Sequence, residues 1–201
     1  MFDGCGRHCI CSSGKLTNCR RVRRDFLSLS AEEKQRYLDT VFTVTTDPYY
    51  KPRYDALVEK YNEFQNTAAF GFEPETSQFL PWNRFFLIEY ENLLRSVDCR
   101  ITIPYWDWTI APNTPYNTKY FDDTLGFGRQ IRSSDKCVIS GPFRADHWTK
   151  SPASGGGCLQ REYQITKTFP TRSLLQNDVM PLTSDNFNTF QNLLHPGFGQ
   201  L

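Results

Sequence analysis

The sequence predicts a mainly α fold with long irregular loops, and three observations support this prediction. Ser30 and Glu33 have the spacing of a capping box, which predicts the start of a helix. Apolar residues recur at helical spacing after Pro52 and again after Pro81, and proline is favoured in the first turn of a helix. Residues 110–180 are instead rich in glycine and proline, which predicts loops.

Length and composition indicate one ordinary domain. The chain has 201 residues, of which 39% are hydrophobic, and this is enough to fill a single core. Its 23 basic and 22 acidic residues nearly cancel, so the overall charge does not favour nucleic acid or an acidic membrane surface. No apolar stretch is long enough to span a bilayer.

Residues 1–24 are predicted to form a small cysteine-rich module that precedes the helical domain at 25–201. Seven cysteines are typical of an oxidising compartment, so we expect a secreted protein. No signal peptide is visible, and we therefore expect the natural N-terminus to lie upstream. The disulfide candidates are Cys5, Cys9, Cys11, Cys19, Cys99, Cys137 and Cys158.

The spacing of these cysteines does not give their connectivity, and the odd number leaves one thiol over. His8 lies among the first four cysteines, so a zinc site is the alternative to a disulfide module. Zinc sites usually contain two close pairs separated by a longer loop. Because that spacing is missing, disulfides are favoured.

A short basic run follows the cysteine cluster, at Arg20, Arg21, Arg23 and Arg24. It has two interpretations, a nucleic-acid or targeting patch and a solvated approach to the first helix. No aromatic residues are interleaved with the arginines, so the second interpretation is favoured.

The first two helices follow from the caps and the apolar periodicity. The capping box predicts a helix near 31–43. In the next helix, Pro52 suits the first turn, and the predicted inward face consists of Tyr54, Leu57, Val58, Tyr61 and Phe64. Tyr61 is therefore predicted to point into the protein.

The third helix is predicted from Trp82 to Val97. Arg84, Glu91 and Arg95 form its single polar stripe, so we expect the helix to be buried on several sides. Asn83 shares an otherwise apolar flank with Leu87, Tyr90 and Leu94. A buried amide needs partners, and two arrangements remain open: Asn83 belongs to a polar cavity, or it bonds a backbone amide in the first turn.

Beyond this helix, the segment ending in Trp106, Asp107 and Trp108 has two interpretations. It is a carbohydrate-stacking surface or, more commonly for such residues, a plug of the core. The loops at 110–180 are expected to be ordered and clamped by Cys137 and Cys158. A last helix is predicted from Ser184 or Asp185, with apolar residues at helical spacing at Phe187, Phe190 and Leu194.

One stretch carries a specific resemblance. "FLPWNRFFLIEYENLLRSVDCRITIPYWDWT" resembles the central block of the tyrosinase family of type-3 copper proteins, which commonly reads Phe-Leu-Pro-Trp-His-Arg and ends in Pro-Tyr-Trp-Asp-Trp. The cysteine-rich lead-in, "YKPRYDALVEKY", "CVISGPFR" and "GGGCLQRE" are similar to tyrosinase-like proteins of invertebrates. The resemblance implies a helical bundle that holds two copper ions and oxidises phenols or catechols with dioxygen. It also implies that this chain is the N-terminal part of the domain, incomplete at its C-terminus.

The resemblance places the three imidazole ligands of the first copper at positions that hold other residues here. They are Tyr61, Pro74 (or Phe70, if the loop has an insertion) and Asn83. None of these residues offers an imidazole nitrogen, which suits copper. We therefore expect a degenerate first site, no catalytic residue and no copper in this chain.

A count of histidines leads to the same expectation. Two such copper sites require six imidazoles, whereas the chain has three histidines. His8 belongs to the cysteine module and His147 to an irregular loop. His195 is the remaining metal candidate, near where the second copper's ligands begin in the family, but Pro196 and Gly197 directly follow it.

Two functions remain after this comparison of residues. The first is a non-catalytic extracellular scaffold or binding relative, whose partners are extracellular matrix proteins or a phenolic ligand, and not nucleic acid. Its aromatic groove is expected to be lined by Trp82, Phe86, Tyr105, Trp106 and Trp108. The alternative is part of a copper-dependent oxidoreductase whose second copper site lies beyond residue 201. We also expect Phe85, Phe86 and Phe190 to face solvent, so that residues 1–201 alone are poorly packed.

Overall fold

The computed structural model describes residues 1–66, 78–163, 169–181 and 189. The regular elements are strands β1 (His8–Ser12) and β2 (Lys15–Arg20), helices α1 (Ala31–Thr46), α2 (Lys51–Asn66) and α3 (Phe79–Val97), and a short helical segment α4 (Arg172–Leu174) that continues as a π-helix (Leu175–Val179). The mainly α prediction is confirmed. None of the helices described is both long and apolar enough to cross a membrane.

The N-terminal segment forms an antiparallel hairpin that is held by disulfides. Strands β1 and β2 pair with Ser12 opposite Lys15, and the turn between them places Ser13 and Gly14 at positive φ, as tight hairpins require. One disulfide joins Cys9 to Cys19 across the hairpin. A second joins Cys5 to Cys99, just beyond the end of α3. The disulfide interpretation is therefore confirmed over zinc, and Cys11 is the free, exposed cysteine.

Helix α1 begins where the capping box predicts. The Ser30 hydroxyl accepts from the Glu33 amide at 3.2 Å, and the Glu33 carboxylate accepts from the Ser30 amide at 2.9 Å. The helix runs to Thr46, one turn beyond the predicted end. Helix α2 includes Pro52 in its first turn, also as predicted.

Two apolar clusters form the core. The larger one lies where α1 and α3 meet, and its buried members are Phe26, Tyr37, Val44, Leu93, Leu94 and Ile101. The smaller one joins α1 to the following loops through Leu38, Phe143 and Trp148. The Trp148 indole N–H donates to the Thr45 hydroxyl at 2.8 Å, so this buried indole has a polar partner.

Helix α3 is buried less widely than predicted. Its C-terminal half is packed, with Leu93 and Leu94 fully buried. Its N-terminal half exposes large apolar side chains, and Phe85 is 46% exposed. Phe86 beside it is half-buried. The expectation that the helix is buried on several sides was wrong for its N-terminal half, where Phe85, Leu87 and Ile88 are exposed.

Glu91 was predicted on a solvent-facing stripe of α3, and this prediction was wrong. Its side chain is only 2% exposed. The carboxylate accepts from Arg21 Nη1 and Arg23 Nε, each at 3.0 Å, and from the Ile103 amide at 3.0 Å. Two segments distant in sequence therefore cover and neutralise it.

The basic run is likewise not the solvated approach that was predicted. Arg21 and Arg23 bind Glu91, and Arg24 pairs with Glu33 on α1. The run thus connects the hairpin to both α1 and α3.

The loops at 110–163 contain short helical turns and are clamped by a disulfide between Cys137 and Cys158, as expected. Gly128 has a φ of 76°, and a Cβ at this position would lie 2.1 Å from the carbonyl oxygen of Ser140. Only glycine permits this close approach. Helix α4 was not predicted, and the predicted helix from Ser184 or Asp185 falls outside the described residues.

Candidate functional site

An open cleft lies between α2 and α3. Its volume is about 420 Å³, and it is lined by Tyr54, Leu57, Val58, Tyr61, Asn62, Phe86, Tyr90 and Ser154. The α2 residues in this set recur at helical spacing, so the apolar periodicity predicted the correct face of that helix. The walls are largely apolar, with hydroxyl and amide groups at intervals.

Aromatic rings fill one end of the cleft. The Tyr61 ring lies 5.3 Å from Trp82 and 5.0 Å from Phe86 between centroids. Trp82 stacks on Phe64 at 3.8 Å and on Phe86 at 5.3 Å. Tyr61 therefore points into the α2–α3 interface, as predicted, and the surrounding rings hold its orientation.

Asn83 is half-buried next to this cluster. Helix α3 begins at Phe79, which places Asn83 beyond the first turn and removes the capping arrangement considered from the sequence. The flank that it shares with Leu87 and Leu94 is packed only at the Leu94 end, since Leu87 is exposed. Asn83 therefore lies in the more open N-terminal half of α3, where it is half-buried.

Two of the phenols along the cleft, those of Tyr54 and Tyr90, are held in their neutral form. Burial raises the pKa of Tyr90 far above its ordinary value, and the neighbouring Tyr54 raises it further. Burial, and then the charge of Asp55, raise the pKa of Tyr54. These groups offer hydroxyls, because burial disfavours the phenolate.

A loop closes one side of the cleft, and the sequence did not indicate it. The Asn62 amide donates to the Ala153 carbonyl at 2.6 Å, and Ser154 joins the lining. Ser151, which is buried, accepts from the Ala153 amide at 3.3 Å. Residues so far apart in sequence leave no local pattern that could have predicted this wall.

Two of the five aromatic residues expected to line one groove pack against loop aromatic residues. Trp106 packs against Tyr120 at 5.3 Å and Phe169 at 5.7 Å, and Trp108 also contacts Phe169. These two indoles support the interpretation as core plugs. Of the five residues, Phe86 lines the cleft between α2 and α3, and the grouping of all five in one groove stays a prediction.

The backbone around these two indoles is also held within the protein. Tyr105 accepts from the Phe26 amide at 2.8 Å and donates to the Arg24 carbonyl at 3.0 Å, and its side chain is 52% exposed. Asp107 caps the following turn by accepting from the Thr109 amide at 3.1 Å, and it binds Arg172 at 2.7 Å. The carboxylate between the two tryptophans is thus engaged within the protein and does not face a sugar-binding surface.

The described histidines lie away from the cleft. The His147 ring stacks on Phe42 at 4.8 Å, and His8 contacts the Phe2 ring at 5.5 Å. In the described part of the chain, the side chains close enough to hold a metal together are Asp3, Cys9 and Cys19, but the two sulfurs are bonded to one another. Pro74, Phe70 and His195 fall outside the described residues.

The helices and the cleft between them define a member of the tyrosinase family. Residues 51–196 match the common central domain of tyrosinase, which covers most of the chain, so the chain belongs to this family. Copper is the cofactor of the family.

Several curated relatives are bacterial enzymes. The chain is 37% identical to a tyrosinase of Streptomyces antibioticus over 129 residues, which are 62% of this chain and 44% of that protein. It is 32% identical to a tyrosinase of Streptomyces glaucescens over 171 residues, 82% of this chain and 60% of that protein. It is 33% identical to grixazone synthase of Streptomyces griseus subsp. griseus over 136 residues, 63% of this chain and 42% of that protein. The chain thus spans about half the length of these relatives.

Proposed function

We propose that this chain is a non-catalytic, extracellular member of the tyrosinase family in which a packed cluster of rings and an amide replaces the first copper site. The observation that carries the proposal is the position of Tyr61. Its ring occupies the place that the resemblance assigns to an imidazole ligand, and it packs against both Trp82 and Phe86. Asn83 occupies a second such place.

The donor groups at this end of the cleft do not fit a copper ion. Copper in proteins favours imidazole and sulfur ligands, whereas an amide oxygen is a weak donor. A tyrosine binds a metal best as the phenolate, and burial, which raises the pKa of Tyr54 and of Tyr90, disfavours this charge at those two cleft phenols. We assign no catalytic role to any residue here.

The proposed function is binding. The cleft combines apolar walls with the hydroxyls of Tyr54, Tyr90 and Ser154, a combination that suits a planar phenolic ligand. Three disulfides support an oxidising, extracellular location. There, a scaffold that retains the fold without the metal would bind matrix proteins or small phenols.

A second candidate is part of a copper-dependent oxidoreductase that oxidises phenols or catechols. It is favoured by the family match and by the relatives named tyrosinase and grixazone synthase. In this case the second copper would be held by residues other than those described above.

Copper content distinguishes the two candidates. We expect the full-length natural protein, after incubation with copper and removal of the excess, to contain the same amount of copper as its Tyr61→Phe and Asn83→Ala variants, because neither residue binds the metal. The triple variant Tyr61→His, Pro74→His, Asn83→His is the matched gain-of-site control and is expected to bind about one additional ion. Elemental analysis gives the stoichiometry, and oxygen uptake with a catechol gives the activity.

The proposal is wrong if the wild-type protein oxidises catechol in a copper-dependent reaction. A loss of about one copper per chain in the Asn83→Ala variant would specifically show that the first site is functional.

A further inference from the structure

The N-terminal module and the rest of the chain carry opposite charge. Residues 1–24 contain six Lys or Arg and one Asp, a net charge of +5, whereas the whole chain has a net charge of +1, so residues 25–201 carry −4. The near-neutral total therefore conceals a strongly basic segment. Such asymmetry is typical of a segment that binds a polyanion.

The hairpin presents the first part of this charge. Lys15 and Arg20 begin and end β2, and both are exposed. Neither has an ion-pair partner in the part of the chain that the structure describes. Arg20 lies opposite His8 in the hairpin, and the Cys9–Cys19 disulfide fixes the two strands. These cations are thus displayed on a rigid support.

A second group of arginines lies at the junction of the hairpin and α3. Arg7, Arg21 and Arg100 are held by Asp3 at 2.7 Å, Glu91 at 3.0 Å and Asp98 at 2.6 Å respectively. Their side chains remain 44%, 37% and 52% exposed. Each carboxylate thus orients a guanidinium and leaves part of it exposed to solvent.

The second group adjoins the hairpin at its Arg20 end, because Arg21 directly follows Arg20 in the chain. The Cys5–Cys99 disulfide joins the module to the end of α3, and the space for a Cβ at Gly6 lies within 3.9 Å of Arg100. The pKa of Arg95 is affected by the charges around it. Partial burial lowers this pKa, and the charges of Arg21 and Arg7 lower it further. Glu91 and Asp3 have the opposite effect. Arg7, Arg21, Arg23, Arg95 and Arg100 outnumber the carboxylates of Asp3, Glu91 and Asp98 here, so the junction carries an excess of positive charge.

We propose that the hairpin and the adjoining end of α3 bind a sulfated polysaccharide. The planar, permanently charged guanidinium matches the geometry of a sulfate group. The disulfides place the module in an oxidising compartment, where sulfated glycans are common polyanions. Proteins that bind single-stranded nucleic acid interleave several stacking aromatics with their cations, whereas the hairpin strands themselves contain none. This inference concerns a different face from the cleft and does not rest on its copper content.

The test measures binding of the full chain to heparin by elution from a heparin column and by titration with a heparin oligosaccharide. The double variant Lys15→Gln, Arg20→Gln removes the two hairpin cations that make no ion pair within the described structure. We expect its affinity to fall about ten-fold or more, because each lost cation removes an electrostatic contact with the polyanion, and the salt dependence to become shallower. The variant Lys119→Gln, Lys136→Gln makes the same charge change at exposed loop positions and is the matched control, which we expect to bind like the wild-type chain.

Equal losses in the two double variants would overturn the proposal, because they would indicate nonspecific ion exchange. Binding of chemically desulfated heparin as tightly as heparin would also contradict it, as would tighter binding of a DNA oligomer of equal charge. The thermal unfolding temperature of each double variant is also measured. If it equals that of the wild-type chain, a loss of binding does not result from a loss of the fold.

Discussion

Substitution of Glu91 by Gln is expected to lower the free energy of unfolding by about 3 kcal/mol, because breaking a buried ion pair leaves its partners without a charge to bind. The carboxylate is nearly inaccessible and binds Arg21, Arg23 and the Ile103 amide. A glutamine side chain keeps the volume but has one acceptor oxygen, and its NH₂ group faces the guanidinium donors. Arg21 and Arg23 are each about one third exposed, so water can hydrate their guanidinium groups when the carboxylate is removed. The expected loss of stability therefore stays below the largest values known for buried ion pairs.

Glu32→Gln is the matched control for this substitution. Glu32 pairs with Arg36 on the surface of α1, where its side chain is 81% exposed. Surface pairs of this kind contribute little, so we expect a change within about 0.5 kcal/mol. Urea denaturation of both variants under identical conditions gives the difference. Similar losses at positions 32 and 91 would show that the burial of Glu91 has no energetic consequence.

The same carboxylate should make stability depend on acid. Burial by itself would raise the pKa of Glu91, but the hydrogen bonds from Ile103, Arg21 and Arg23 outweigh it, and its pKa lies below the ordinary value of 4.5. A lowered folded-state pKa means that the stabilisation is complete above pH 4.5 and is lost as the pH falls through the folded-state pKa. The loss of stability between pH 5 and about pH 3 should therefore be less steep in Glu91→Gln than in the wild-type chain. Parallel curves would contradict this assignment.

The largest expected loss comes from removing the disulfide between Cys5 and Cys99. This bond closes a loop with a sequence separation of 94, and the loss of chain entropy in the unfolded state gives a stabilisation of about 4.7 kcal/mol. The Cys9–Cys19 bond closes a separation of 10 and should contribute about 2.7 kcal/mol by the same relation. Replacing each pair by serines and measuring unfolding by denaturant compares the two.

Cys11→Ser is the control for these pairs, because Cys11 forms no disulfide and its replacement should leave stability unchanged. If removal of the short loop destabilised the chain more than removal of the long loop, native-state contacts rather than unfolded-state entropy would explain the effect.

Local features of the fold were predictable from the sequence. The capping box at Ser30 and Glu33 fixed the start of α1 because both of its hydrogen bonds lie within one turn. The inward face of α2 followed from periodicity, since Tyr61 and its neighbours recur at the helical repeat. These predictions needed no knowledge of the rest of the chain.

Features that depend on distant partners were not predictable. Glu91 looked like part of a solvated stripe, because the arginines that cover it lie about 70 positions away. Trp106 and Trp108 were grouped with Trp82 because all are aromatic. The pairing of the Tyr105 backbone with the segment before α1 directs the two indoles towards Phe169, a contact that no local pattern indicates.

The candidate site was partly predictable. The resemblance selected Tyr61 and Asn83, and the structure places Tyr61 at the α2–α3 interface and Asn83 half-buried on α3. It gave no indication of the wall formed by Ser154 and Ala153, since a loop held by a single amide from Asn62 has no signature in a linear pattern.

The free thiol of Cys11 provides a specific site for labelling the hairpin. It is exposed on β1 and faces Leu16 across the strand pair, while every other cysteine in the chain is bonded. A maleimide dye would therefore label one defined position, one residue from Lys15 along the opposite strand, without any mutation. The emission of the dye would change when a ligand binds the hairpin. Binding at the hairpin could then be followed separately from binding in the α2–α3 cleft in one sample.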